Sequence, residues 1–222
     1  MTGRILDPSL TTRAEVSRVD PDVLQAAMSL PTATLHEAAG KIGVLPSAIK
    51  PVTSTAHISG PALTVHSPGG DNLWLHRAIY AGSPGDILVV SVSGVYDHGY
   101  WGEIMSTAAQ QRGLGGLIID GCVRDVVLLN EINFPVFARG LCIRGTGKDF
   151  GARGWINAPT RFDDLTVMPG DLIVGDGDGV VCIPRLMARQ VVEASRARES
   201  TEAGILERLR AGETTLHIYG WD

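Results

Sequence analysis

Apolar positions along the chain alternate between two rhythms, one with helical spacing and one of short continuous runs, and the alternation predicts an α/β fold. In residues 20–40, Pro21, Leu24 and Ala27, and then Ala33, Leu35 and Ala38, recur at helical spacing before Gly40, which predicts two short helices. From Ile49 to Val65 the pattern becomes strand-like, with Val52, Ile58 and Val65 set among Thr, Ser and Gly, and it stops at the turn Ser67-Pro68-Gly69-Gly70. Asp71 to Ala81 reads as a helix. The centre then repeats the unit cleanly: a buried-strand run at 86–94, DILVVSVSG, a glycine-bounded helix at 102–113, and a second buried strand at 114–121, LGGLIIDG.

A short helix from Asp125 to Asn130 leads to the strand-like FPVFARG, and two more strands are expected between Leu165 and Ile183 around the turn MPGD. The stretch from Leu186 to Ala211 is rich in Ala, Arg and Glu and predicts a helical tail interrupted at Gly204, followed by an extended LHIYGW end. Residues 1–20 are polar and aperiodic and read as an N-terminal arm suited to packing on a neighbouring subunit. No repeat, linker or low-complexity segment divides the chain, so residues 1–222 are expected to form a single domain with a C-terminal helical tail at 186–222.

Composition narrows the function classes. With 44% hydrophobic and 19% charged residues the chain can bury a core, and its net charge of -5 lacks the basic footprint of a nucleic-acid binder. Cys122, Cys142 and Cys182 stand singly in apolar surroundings, which fits a reducing, cytoplasmic compartment and neither a disulfide framework nor a zinc site. No apolar run reaches the roughly 18 residues that a membrane span needs, and the N-terminus has no signal-peptide core. The six histidines lack the i, i+4 spacing of a helix-borne metal site.

Two segments carry candidate chemistry. Gly102-Glu103-Ile104-Met105 opens a helix, where backbone N–H groups without intrahelical partners and the positive end of the dipole suit a carboxylate; a plain helix start with Glu103 near the dipole accounts for the same residues. Arg124-Asp125 follows the strand LIID, at the carboxyl end where α/β folds place ligands. An adjacent cation and carboxylate can divide the labour between substrate oxygens and a hard divalent ion, although such a pair is also a common surface or capping feature. Lys41, Lys50 and Lys148 are the only lysines, which leaves little room for a Schiff-base aldolase; Lys148, in RGTGKD, is the one to test.

Taken together, GDN at 70–72, WGEIM at 101–105, GLIIDGCVRD at 116–125, FPVFARG at 134–140 and PGDLIVGDGDGVVCIP at 169–184 resemble the 4-hydroxy-4-methyl-2-oxoglutarate / 4-carboxy-4-hydroxy-2-oxoadipate aldolases. These are class II pyruvate aldolases of the wider family that includes the regulator of ribonuclease E activity. The resemblance covers roughly residues 30 to 220 and implies a swivelling-domain-like α/β/β/α sandwich, assembled as a homotrimer or homohexamer with sites at subunit boundaries.

The family's acidic-X20-Arg-Asp signature falls on Glu103, Arg124 and Asp125. By that match Asp125 coordinates Mg²⁺ or Mn²⁺, Arg124 binds the pyruvyl oxygen, the amides of Ile104 and Met105 beside Gly102 hold its carboxylate, and Glu103 orients a water at the metal. A glutamate from a neighbouring subunit's C-terminal helix completes the set, with Glu202 the best match and Glu199 the fallback. Two departures stand out: Glu103 occupies a place where the family often has Asp, and Leu128 stands where an acidic residue often follows Arg-Asp.

The implied activity is retro-aldol cleavage of a 4-hydroxy-2-oxo di- or tricarboxylate to pyruvate and a second 2-oxo acid, with oxaloacetate decarboxylation on the side. Asp71, Asn72 and His98 are candidates for the pocket border, and Arg77, Arg139 and Arg144 for the distal part of the substrate. The contrasting reading is a non-catalytic binding protein like the ribonuclease regulator, whose branch lacks the aspartate retained here as Asp125. A phosphohistidine carrier domain of similar architecture would need an exposed histidine on a glycine-rich loop, and no histidine here is so placed.

Overall fold

A computed structural model describes residues 11–13, 15–55 and 57–222. Two short helices, α1 (Pro21–Ala27) and α2 (Thr32–Ala38), are followed by β1 (Lys50–Pro51), β2 (Ile58–His66), α3 (Leu73–Ala81), β3 (Ile87–Ser91), α4 (Glu103–Gln111), β4 (Gly116–Val123), α5 (Val126–Ile132) and β5 (Val136–Leu141). Then come β6 (Trp155–Ile156), β7 (Thr160–Phe162), β8 (Leu165–Val167), β9 (Leu172–Gly175), β10 (Val180–Ile183), α6 (Ala188–Arg210) and α7 (Thr215–Tyr219). The main sheet runs β1-β5-β4-β3-β2-β9-β10, with β6 on β2. Its centre, β2 to β5, is parallel, and β1, β9 and β10 join antiparallel.

The period of two within each strand sorts the core into layers. Leu88 and Val90 of β3, Leu117 and Ile119 of β4, and Val136 and Ala138 of β5 pack with Trp74, Ile79, Met105 and Leu129 of helices α3 to α5. Their alternate neighbours Ile87, Val89, Ile118 and Phe137 face inward against Ile173, Val180 and Cys182 of β9 and β10. The outer side of those two strands, Leu172, Val174, Val181 and Ile183, is covered by α1, α2 and α6 through Val23, Leu35, Val191 and Val192. This is the expected α/β/β/α sandwich. Strands buried on both faces need continuous apolar runs, which is why DILVV and GLIID lack polar alternation.

Tertiary anchoring holds the arm. Arg18 donates from Nε and Nη2 to the two oxygens of Asp86, each at 2.8 Å, and Ser83 N donates to Asp86 Oδ2 at 2.9 Å. Asp86 is 1% exposed, so its charge depends on these donors. Asp86→Ala removes the acceptor of the Ser83 turn and of a part-exposed guanidinium that water can then reach; urea unfolding should register a loss of about 1–2 kcal/mol, less than for a pair buried on both sides. The described stretch of the arm is therefore tied to its own chain, with Asn157 Nδ2 also donating to Arg13 O at 3.0 Å. Residues 1–10 lie outside the described residues.

Two expectations for the tail fail. Gly204 does not interrupt α6, which continues unbroken for 23 residues; one interior glycine costs only about 1 kcal/mol against alanine, and Ala, Leu, Glu and Arg around it favour the helix. The LHIYGW end is not extended, because Thr214 caps α7 by accepting from His217 N at 3.1 Å and Gly220 closes it in the left-handed region. The two strands expected around the turn MPGD are β8 and β9, and β10 is a third in that stretch, whereas β6 and β7 were absent from the sequence pattern, being only two or three residues long.

Candidate active site

The residues after β4, the segment leading into α4 with its first turn, the start of α3 and the loop at 145–148 border a cavity of about 270 Å³. Its wall is built by local backbone decisions. A bulge between Ile119 and Cys122 breaks the β4–β5 register and turns the end of β4. Arg124 N then donates to Trp101 O at 2.9 Å, and Tyr100 N to Cys122 O at 3.0 Å, so the segment preceding α4 is stitched beside β4. Asp125 follows with φ of 63° and ψ of 34°, a left-handed conformation that aspartate tolerates better than most residues, and it turns the chain directly into α5.

Arg124, Asp125, Gly102, Ile104 and Met105, separated in sequence by some twenty positions, all line this cavity. Asp125 Oδ2 accepts from Glu103 N at 3.3 Å and lies 3.8 Å from Arg124 Nε. Gly102 is extended, with φ of -164°, so its glycine is required by space: a Cβ there would stand 2.3 Å from Asp125 Oδ2 and 3.3 Å from Arg124 Cγ. A Cβ on Gly99 would likewise meet Cys142 O at 2.4 Å and Arg124 Cδ at 3.0 Å. In the first turn of α4 the amides of Ile104 and Met105 have no intrahelical carbonyl to pair with, and they open onto the same space.

The remaining candidates are distributed as follows. The Glu103 side chain is exposed and outside the cavity lining, although its amide holds Asp125. Asn72 lines the cavity, donates to Tyr100 O at 2.9 Å and leaves its buried Oδ1 without a partner. Asp71 is a buried structural acceptor behind the wall, receiving Leu73 N at 2.8 Å and Asp149 N at 2.5 Å. His98 also stands back from the lining, tilted against Tyr100 at 5.7 Å. On α6, Glu202 pairs with Arg198 at 2.8 Å and Glu199 accepts from Thr34 at 3.5 Å, both away from the cavity of their own chain.

His76, Gly145 and Thr146, which sequence reasoning passed over, complete the wall together with Lys148, which it weighed only as a Schiff-base lysine. The available signals were indirect. His76 lies one helical turn after Asn72, on the same face of α3, and Lys148 sits in a glycine-rich loop. Burial, and secondarily the nearby Lys148 charge, push the His76 pKa down, which keeps its imidazole neutral. Tyr100, whose hydroxyl accepts from Gly70 N at 2.7 Å, is pushed up by burial and stays protonated.

Among the described residues no group of three His, Cys, Asp or Glu side chains forms a closed metal cage. The donor set still suits a hard divalent ion, since such ions commonly take one or two carboxylates and fill the remaining positions with water and substrate oxygens. Asp125 is the carboxylate in place for this, because both protein contacts of its Oδ2 are long and its side chain is 37% exposed to the cavity. Cysteine is a poor alternative donor here: burial pushes the Cys122 thiol up, away from the thiolate form.

Comparison with known proteins shows the family and the fold. The profile of the RraA-like family, described as Aldolase/RraA, matches residues 26–182. A protein of Halalkalibacterium halodurans named "Putative 4-hydroxy-4-methyl-2-oxoglutarate aldolase" is 33% identical over 187 residues, covering 84% of this chain and 88% of its own. The crystal structure of a Pseudomonas syringae pv. tomato protein superposes with a TM-score of 0.79 at 33% identity, over 90% of this chain and 93% of that one. Streptomyces coelicolor RraAS2, described as an unusual member of the RNase ES inhibitor RraA protein family, shares the fold with a TM-score of 0.75 at 22% identity, over 85% and 98% of the two chains. No helix among the described residues is long and apolar enough to cross a membrane. With the profile spanning most of the chain and a 33% identical relative covering 84% of it, the protein belongs to the RraA-like aldolase/RraA family.

Proposed function

We propose that the chain is a lyase that cleaves a 4-hydroxy-2-oxo di- or tricarboxylate to pyruvate and a second 2-oxo acid, with oxaloacetate decarboxylation as a side activity. The observation that carries this reading is the convergence of the α4 amides, the Arg124 guanidinium and the Asp125 carboxylate on one cavity. The 1-carboxylate docks on the amides of Ile104 and Met105, and Arg124 holds the 2-oxo oxygen. When the C3–C4 bond breaks, its electron pair moves into the pyruvyl half, and negative charge grows on the oxygen that Arg124 faces. Asp125 would hold a Mg²⁺ or Mn²⁺ ion, which supplies Lewis-acid stabilisation of that enolate. Glu103, whose side chain lies outside the cavity lining, is assigned to positioning the proton-carrying water on the strength of the family signature alone.

The same reading assigns the molecule to the cytoplasm as a homotrimer or homohexamer, with Glu202 of α6 serving a neighbouring subunit's site. Its half-exposed position on a helix half that is not packed into its own chain favours that role: beyond Ser195 no residue of α6 is buried in its own chain. Pyruvate release from 4-hydroxy-4-methyl-2-oxoglutarate, followed by coupled lactate dehydrogenase, should require Mg²⁺ and fall to background in EDTA. Undiminished turnover in EDTA would sink the metal role. Absence of turnover of every 2-oxo acid, together with stoichiometric capture of a ribonuclease, would establish a non-catalytic regulator instead.

A further inference from the structure

Besides the residues assigned to the pyruvyl half, the cavity is lined by Asn72, His76, Thr146 and Lys148. Lys148 is held there by its loop. Gly147 N donates to Gly70 O at 2.7 Å, Asn72 N donates to Gly147 O at 3.3 Å, and Asp149 N donates to the buried Asp71 carboxylate, so the segments 70–72 and 147–149 are laced together on both sides of the lysine. No ion pair to Lys148 is found among the described residues, and its charge is felt at His76. An exposed cation carried to a cavity wall by an anchored backbone, and without an acidic partner, is suited to a ligand anion.

Beside it, Asn72 is 6% exposed, with its amide nitrogen committed to Tyr100 O and its Oδ1 unpartnered. A buried acceptor so placed calls for a donor from the ligand, and a hydroxyl supplies one.

The arginines named as candidates for the distal part of the substrate stand outside the cavity lining. Arg139 donates to Asp120 at 2.6 Å and lies over the Tyr96 ring, Arg77 stacks on Trp74 with 4.6 Å to the centroid, and neither they nor Arg144 line the cavity. Lys148 is thus, with Arg124, the second cation that lines the cavity.

Resting on the aldolase reading for its orientation, we infer that Lys148 is the specificity-determining residue for the distal carboxylate of the substrate, with Asn72 Oδ1 accepting from the 4-hydroxyl and neutral His76 lining the passage between them. The wall thereby selects 2-oxo acids that carry a second carboxylate over equally long ones that end in a methyl group.

The test uses matched pairs. In calorimetric titrations with Mg²⁺ present, the wild-type protein should bind 2-oxoglutarate at least tenfold more tightly than 2-oxopentanoate, and Lys148→Gln should reduce that preference to near unity while Lys148→Arg keeps most of it. In turnover, the preference in kcat/KM for 4-hydroxy-4-methyl-2-oxoglutarate over 4-hydroxy-4-methyl-2-oxopentanoate should drop about 50-fold in Lys148→Gln, mainly through KM, as expected for loss of one charge-assisted contact. Equal binding of the two 2-oxo acids by wild type, or a preference that survives Lys148→Gln, overturns the assignment. A diacid preference that depends on Lys148 without cleavage of either substrate would uphold the subsite and overturn the aldolase reading.

Discussion

Asp125→Asn should lower kcat/KM for pyruvate release by about 10³-fold, with the thermal midpoint within a few degrees of wild type, because the removed charge corresponds to several kcal/mol of transition-state stabilisation through the ion it would hold. Asparagine is the right replacement. At φ of 63° alanine would add backbone strain of roughly 1–2 kcal/mol, whereas asparagine shares aspartate's tolerance of that region. It also preserves an oxygen for the 3.3 Å contact from Glu103 N. Steady-state kinetics with circular dichroism separate the outcomes. Near-wild-type turnover at saturating Mg²⁺ would remove Asp125 from the mechanism, and loss of the folded signal would make the residue structural.

Gly102→Ala should cost about 10²-fold in kcat/KM, the penalty of misplacing a reacting group by roughly 1 Å. Its extended backbone accepts alanine without strain, so the effect isolates crowding: the new methyl would stand 2.3 Å from Asp125 Oδ2 and 3.3 Å from Arg124 Cγ, and both side chains must move. Melting should change little. The measurement is activity against melting temperature in a single variant, and a Gly102→Ala enzyme of wild-type activity would mean that the Asp125 carboxylate does not work from the position seen here.

Much of the fold was legible in the sequence because the signals are local. DILVV and GLIID are strands buried on both faces, and their uninterrupted apolar character states as much. The glycine-bounded run from Gly102 to Gly113 frames α4 to within two residues. The errors lie where local and tertiary preferences compete. The alternating look of LHIYGW concealed a capped helix, and Gly204 was overridden by the helix formers around it. Strands of two or three residues, such as β6 and β7, carry too little pattern to announce themselves and exist through pairing alone.

For the site, the sequence by itself determined the chemical inventory: a helix start without side-chain obstruction, an arginine and a carboxylate after a strand, and a spacing of helix then strand between them. Tertiary structure decided which of these meet and what else faces them. The β4 bulge and the left-handed Asp125 aim Arg124 and Asp125 at the α4 amides, and neither is a property of the residues alone. Lys148 gained its place from Gly147 and Asp149 bonding to a turn nearly eighty positions earlier, while Asp71 and His98, adjacent to the site in sequence, were drawn behind its wall. Spacing along the chain reports the periodicity of elements, but which loops close on one another depends on backbone hydrogen bonds between distant segments, and those form only when the packed sheet brings them together.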